Sequence, residues 1–165
     1  MRITQRPRVL IYKRTHTGDP TPDGVFGFDD CMGSVRTRRF DAVIGVGGTS
    51  NEARSCKIAR LLTWVGVGPH RRGQPLGHRG PLITFDRFLL LDTEGPELDE
   101  IAPALAEYLF KTRPRVVMSD GISEIMLEEV ARILKLVESN SKRTESRASK
   151  QRRVCLPKPC KKKVC

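Results

Sequence analysis

The run Asp41-Ala-Val-Ile-Gly-Val-Gly-Gly-Thr-Ser-Asn-Glu52 joins a strand-like apolar stretch to a glycine turn and a helix cap. That order aims several backbone N–H groups at one point, where the helix dipole adds positive character. Gly45, Gly47, Gly48, Thr49 and Ser50 could therefore cradle a phosphate. Their spacing matches neither the dinucleotide fingerprint nor the phosphate loop that ends in Lys-Ser/Thr. The competing reading is that the glycines only permit a tight turn and close packing. Both stay open at this point.

A second copy of the pattern lies 21 residues on, where Thr63-Trp-Val-Gly-Val-Gly-Pro69 aligns Gly66 with Gly45. Side chains alternate along a strand, so each glycine pair (Gly45/Gly47 and Gly66/Gly68) bares one face. The occupant of that bared face is either a phosphate-bearing ligand or a closely packed helix. The second copy runs into His70, Arg71 and Arg72, followed by His78 and Arg79, in a stretch that reads as a basic, glycine-rich loop. Guanidinium groups bind oxyanions bidentately, which suits phosphate or carboxylate recognition. A solvated surface loop explains the same residues. If the two exits are neighbours, both can face one ligand.

Carboxylates gather in the front loop, with His16, Asp19 and Asp23 preceding Asp29-Asp30-Cys31. Carboxylates with a histidine can bind Mg²⁺ or transfer protons, although acidic residues are also ordinary turn and cap chemistry. The candidate catalytic residues are Glu52, Asp29, Asp30 and His70. No metal site is expected. Cys155, Cys160 and Cys165 lie five residues apart without a nearby histidine, unlike the tighter pairs of structural zinc sites. The sequence names no cofactor.

Charge is the fourth chemical feature. Between Ser141 and Cys165, ten Lys or Arg face one Glu, giving +9 of the chain's +11 and leaving residues 1–140 near +2. These cations are Lys142, Arg143, Arg147, Lys150, Arg152, Arg153, Lys158, Lys161, Lys162 and Lys163. Such a segment attracts phosphate backbones without regard to sequence. No aromatic residue interrupts it, so base stacking is not indicated. A solubilising tail or an arm for an acidic partner is the alternative.

The elements that must position these groups follow from pattern. Residues 8–13 read as a strand, 15–28 as a long loop and 29–38 as a short helix. Residues 40–47 form a second strand, and Thr49 or Ser50 caps a helix running to about Arg60. Leu62–Gly68 is the third strand. Pro81–Leu91 is the longest strand candidate, with Ile83, Phe85, Leu89 and Leu91 on one face and Leu82, Phe88 and Leu90 on the other. Apolar residues on both sides suggest a central, doubly covered strand. The strands at 63–68 and 81–91 can pair in either direction. Pro103 should break the helical stretch that begins near Pro96. Residues 115–118 form a short strand, and Ser123 caps a final helix whose apolar period runs from Ile122 to Val137.

After Ser139 the composition turns to Ser, Lys, Arg and Pro, which predicts a disordered tail over 140–165 behind a single domain at 1–139. The fold class is α/β, with a mixed, partly parallel sheet of about five strands flanked by helices. No apolar stretch is long enough to cross a membrane, no secretory leader is expected, and five cysteines favour a reducing, intracellular setting. That setting is read as cytoplasmic, including nucleoid-associated or nuclear.

Val25-Phe-Gly-Phe-Asp-Asp-Cys-Met-Gly-Ser-Val-Arg36, followed by Phe40-Asp-Ala-Val-Ile-Gly-Val-Gly-Gly48, resembles small prokaryotic and phage nucleotide-modification-associated domains over residues 8–70. The resemblance implies a role beside DNA modification or defence. Residues 41–52 also resemble the Gly-Gly-x-Gly-Thr-x-x-Glu turn of Rossmann-like nucleotide-processing hydrolases, which implies a catalytic Glu52; here one glycine is missing before Thr49. Three functions are therefore carried forward. The first is a nucleotide- or nucleic-acid-binding domain associated with modification or defence. The second is a hydrolase using Glu52 or Asp29 and Asp30, and the third is a non-catalytic partner-binding domain.

Overall fold

The computed structural model describes residues 6–14, 24, 26–27, 39–72, 82–111 and 116–152. Its strands are β1 (Val9–Arg14), β2 (Phe26–Gly27), β3 (Ala42–Gly47), β4 (Leu62–Arg72), β5 (Leu82–Leu90) and β6 (Val116–Met118). The helices are α1 (Asn51–Ser55), α2 (Leu98–Ile101), α3 (Pro103–Lys111) and α4 (Glu124–Arg152). One mixed sheet orders the strands β2-β5-β4-β3-β1-β6, with β2 only two residues long. β1 and β3 are parallel, with Val9 beside Ala42 and Arg14 beside Gly47, and every other pairing is antiparallel. This is the mixed α/β sheet with flanking helices that the alternation of elements predicts.

β3 lies at the centre and is buried along its whole length. Its aliphatic side, with Ala42, Ile44 and Val46, joins Val9, Ile11, Leu62 and Val65 against the helices. Leu98 comes from α2, Leu105 and Leu109 from α3, and Val130, Ile133 and Val137 from α4. Burying each such side chain contributes about 1.5–3 kcal/mol, enough to fix these helices on the sheet. Leu62 and Val65 share this face despite their odd spacing. The β3–β4 register shifts between Gly45, opposite Trp64, and Val46, opposite Leu62, so Thr63 is the extra residue of a bulge.

The opposite core cluster is built by strand side chains and Phe40: Leu10, Tyr12, Val43, Trp64, Ile83 and Met118, with Phe85 and Phe88 packed on it. Phe85 and Phe88 stack with ring centroids 6.0 Å apart and an interplanar angle of 17°. Strict alternation would have separated them. The Asp86-Arg87 interruption lies between them, where β5 passes Gly68, a glycine with φ of +68°. β5 is not the doubly covered central strand either. It stands second from one edge and is buried only in part.

Ends of elements follow local chemistry. Ser50 caps α1 by accepting from the Ala53 N–H at 3.2 Å. α1 stops at Ser55 rather than Arg60, because Lys57 and Arg60 take φ values of +58° and +62° that a helix cannot contain. Pro103 separates α2 from α3, as its missing N–H requires at a first helical position. Ser123 accepts from the Met126 N–H at the start of α4.

α3 follows Ala102, which offers no side-chain acceptor, yet two of its first-turn amides are satisfied. Ala104 N–H donates to Glu129 Oε1 at 3.1 Å and Leu105 N–H to Oε2 at 2.7 Å. Glu129 reaches them from α4 and is 2% exposed. At the other end of α3, Lys13 Nζ donates to the Leu109 carbonyl at 2.7 Å, and burial pulls the Lys13 pKa down. An anion at the N-terminus and a cation at the C-terminus both complement the dipole of α3. Two other elements thus hold it in place.

α4 continues as a helix to Arg152, so the disordered tail expected over 140–165 is helical up to 152. The helix propagates there beyond the apolar period that anchors it, and residues 153–165 lie outside the described residues. None of the described helices is long and apolar enough to cross a membrane.

Candidate functional site

All four echo glycines are occupied positions, and no helix is the occupant. A Cβ at Gly45 would lie 2.0 Å from Trp64 Nε1, and one at Gly66 would lie 2.5 Å from the Phe85 ring. At Gly47 it would meet the Ile58 carbonyl oxygen at 1.8 Å, and at Gly68 the Asp86 Oδ2 at 2.2 Å. In each pair the first glycine makes room for an aromatic ring and the second for an oxygen. Trp64 is wholly buried and lies 5.9 Å, centroid to centroid, from both Phe85 and Phe88. The anticipated phosphate or helix gives way to side chains and a turn of the same sheet.

The two exits of the echo do not meet. Antiparallel pairing puts Ala42 beside Val67 and Val46 beside Leu62, so the Gly47–Ser50 turn and the His70–Arg72 segment lie at opposite ends of the sheet. His70 is eight residues along β4 from Leu62, about 26 Å at the usual strand rise. No ligand the size of one nucleotide spans that gap. His70, Arg71 and Arg72 are strand residues, not a loop, and pair with Thr84, Ile83 and Leu82.

At the first exit both backbone groups of Gly47 are already used. Gly47 N–H donates to the Leu61 carbonyl at 2.9 Å, and Gly47 accepts from Arg60 N–H at 3.0 Å. Gly48 is buried, Thr49 exposed, and the Ser50 hydroxyl belongs to the α1 cap. α1 is five residues long, too short to focus a useful dipole. Glu52 is exposed in its first turn. Among the described residues no group of three or more His, Cys, Asp or Glu side chains could hold a metal ion. Asp29 and Asp30, together with His16, Asp19, Asp23, Cys31, His78 and Arg79, lie outside the described residues.

At the second exit His70 Nε2 donates to Asp86 Oδ1 in an exposed hydrogen bond, with side-chain exposures of 58% and 63%. Arg71 is exposed beside it. The partner Asp86 is invisible in sequence, because only the β4–β5 register brings it across from Gly68.

Cavities among the described residues cluster instead around Arg6. One of about 470 Å³ is lined by Arg6, Arg8, Arg39 and Asp41, and one of about 330 Å³ adds Ser119, Asp120 and Glu124. The parallel β1–β3 register makes this cleft: Arg8 N–H donates to Asp41 Oδ2 at 2.8 Å and Asp41 N–H to the Arg8 carbonyl at 2.7 Å. Arg6 pairs with Glu124, and Arg8 stands 3.9 Å from Asp120. Three guanidinium groups are therefore set against three carboxylates, and the cleft has little net attraction for an anion.

A further run of cations lies on α4. Arg132 and Lys135 are exposed on its outer side, and the positions Lys142, Arg143, Arg147, Lys150 and Arg152 continue along it. Arg153, Lys158, Lys161, Lys162 and Lys163 lie outside the described residues. Comparison of the chain with protein-family models, with curated proteins and with solved structures returns no match.

Proposed function

We propose that this protein is a nucleic-acid-binding domain that grips phosphate backbones without reading sequence. The observation that carries the reading is the placement of +9 charges in residues 141–165, behind a nearly neutral body and in continuation of α4. A compact cation-rich segment releases counterions on binding, so its affinity depends steeply on salt. The filled glycine faces favour binding over nucleotide chemistry, because the strands leave no room there for a base or phosphate. In this reading the binding serves DNA modification or defence, the setting implied by the resemblance over residues 8–70.

The test is duplex binding by the full chain and by a chain ending at Asn140. Truncation there keeps Val137, the last buried anchor of α4 among the residues whose burial is described, so the body should fold unchanged. The shortened chain should lose most of its affinity at low salt, and its salt dependence should become much shallower. Equal binding by both chains would remove the role of the segment. No binding by the full chain at low salt would sink the reading.

A further inference from the structure

We propose that the phosphate-contacting surface is one stripe along α4 that starts on the folded body at Arg132 and Lys135 and takes a nucleic acid duplex along its length. The inference rests on the binding function above and gives it a geometry.

At 100° per residue, the positions Arg132, Lys135, Lys142, Arg143, Arg147 and Lys150 fall within an arc of about 140° on the helix. Both acids after Glu129, namely Glu138 and Glu145, fall outside that arc. The buried anchors Val130, Ile133 and Val137 occupy the other side of α4. Their packing on the sheet fixes the rotation of the helix, and with it the direction in which the stripe begins.

Ordinary helix physics does not account for the arrangement. The dipole rewards cations only in the last turn, whereas this row begins some twenty residues before the end of α4. Helical spacing sets Arg132 beside Glu128, and Lys135 and Lys142 beside Glu138, but puts no acid three or four positions from Arg143, Arg147 or Lys150. Arg132 lies 3.9 Å from Glu129, but both oxygens of that carboxylate are committed to the Ala104 and Leu105 amides. Arg132 is 63% exposed and keeps donors for another partner.

From Arg132 to Lys150 the stripe spans about 27 Å at 1.5 Å per residue. That is about eight base pairs of duplex, at 3.4 Å per phosphate along each strand. A row of cation positions along one helix matches a regular duplex backbone better than a flexible single strand. No aromatic residue lies between positions 132 and 152 to serve as a stacking platform for unpaired bases. Six phosphate contacts would give a slope of log affinity against log salt of about −5.

The experiment measures binding of a random-sequence 24-base-pair duplex by fluorescence anisotropy across NaCl concentrations, using the full chain. In the double variant Arg132→Gln with Lys135→Gln, the slope should lose about two units and low-salt affinity should fall about ten-fold, with an unchanged thermal midpoint. A charge-conserving exchange, Arg143→Glu with Glu145→Arg, moves one cation off the arc at constant composition. It should also weaken binding about ten-fold, because an acid then interrupts the stripe. If both variants bind like the parent, the stripe is overturned and the cations act as an unstructured polycation, leaving the binding function intact. If the parent binds no duplex, the binding function itself fails. If anionic phospholipid vesicles or polyglutamate bind as tightly and with the same loss in both variants, the stripe is not a nucleic acid seat.

Discussion

The two copies of the glycine pattern share a sequence logic and differ in what surrounds them. In the first, Gly45 and Gly47 lie in fully buried β3, under the ring of wholly buried Trp64 and against the backbone of Ile58. In the second, Gly66 is buried under Phe85 and Gly68 is half-buried beside an Asp86 that is largely exposed. The same device thus serves a rigid centre once and a yielding arm once. A glycine's importance here follows from whether its neighbour can move.

The sharpest way to break this comparison is alanine substitution at all four sites, read by thermal or denaturant unfolding. Gly47→Ala should cost most, about 3 kcal/mol or more, because the opposing atom is a backbone oxygen that cannot step aside. Gly45→Ala should cost about 2–3 kcal/mol, because the indole it displaces has no free space. Combining Gly45→Ala with Trp64→Leu should recover part of that loss, giving a favourable coupling in a double-mutant cycle. Strict additivity would show that the ring is not the obstacle.

Gly66→Ala should fall below Gly45→Ala, since Phe85 is only partly buried whereas Trp64 is wholly buried. Gly68→Ala should cost about 1–2 kcal/mol, nearly all of it left-handed strain, because the Asp86 side chain can swing into solvent. Equal losses at Gly45 and Gly66 would end the distinction between a rigid and a yielding copy.

Glu129→Gln offers a comparison outside the glycines. The carboxylate satisfies two amides of α3 from within the core, and an amide oxygen can replace only part of that. A loss of about 1–3 kcal/mol is expected, with a lowered unfolding midpoint at neutral pH. The smallest effect belongs to the exposed clamp between Arg60 and Asp99. Arg60 Nε donates to Asp99 Oδ2 at 2.7 Å, and the guanidinium lies 4.2 Å from the Phe110 ring centroid. The hydrogen bond from Arg60 lowers the Asp99 pKa in the folded state. The clamp's stabilisation is therefore present above the unfolded carboxylate pKa of about 4 and is lost as pH falls through the lowered value. Both side chains are over 40% exposed, which limits the contribution to about 1 kcal/mol or less. Asp99→Asn should thus lower the unfolding midpoint slightly at pH 7 and leave it unchanged near pH 2.

Local features were legible wherever neighbouring residues decide the outcome. Ser50 and Ser123 act as helix caps, Pro103 breaks a helix, and the Val130-Ile133-Val137 period buries one side of α4. The candidate site was not legible in the same way. A glycine reports that something comes close, and the identity of that neighbour depends on strand pairing across the sheet. Nothing near Gly45 in sequence identifies Trp64 as its occupant, and nothing near His70 identifies Asp86. The end of α1 was misjudged for a related reason: the Lys57 and Arg60 backbones turn left-handed so that Ile58 can enter the core.

By itself the sequence determined where most of the strands and helices lie, several of their caps and breaks, and the concentration of positive charge behind a neutral body. These rest on short-range backbone chemistry and on composition. Tertiary structure alone decided that the two glycine pairs point their exits to opposite ends of one sheet, that aromatic rings and a carbonyl fill them, and that Glu129 caps a helix to which it does not belong. Strand direction and register are set by contacts between residues far apart in the chain, because they maximise burial over the whole sheet at once.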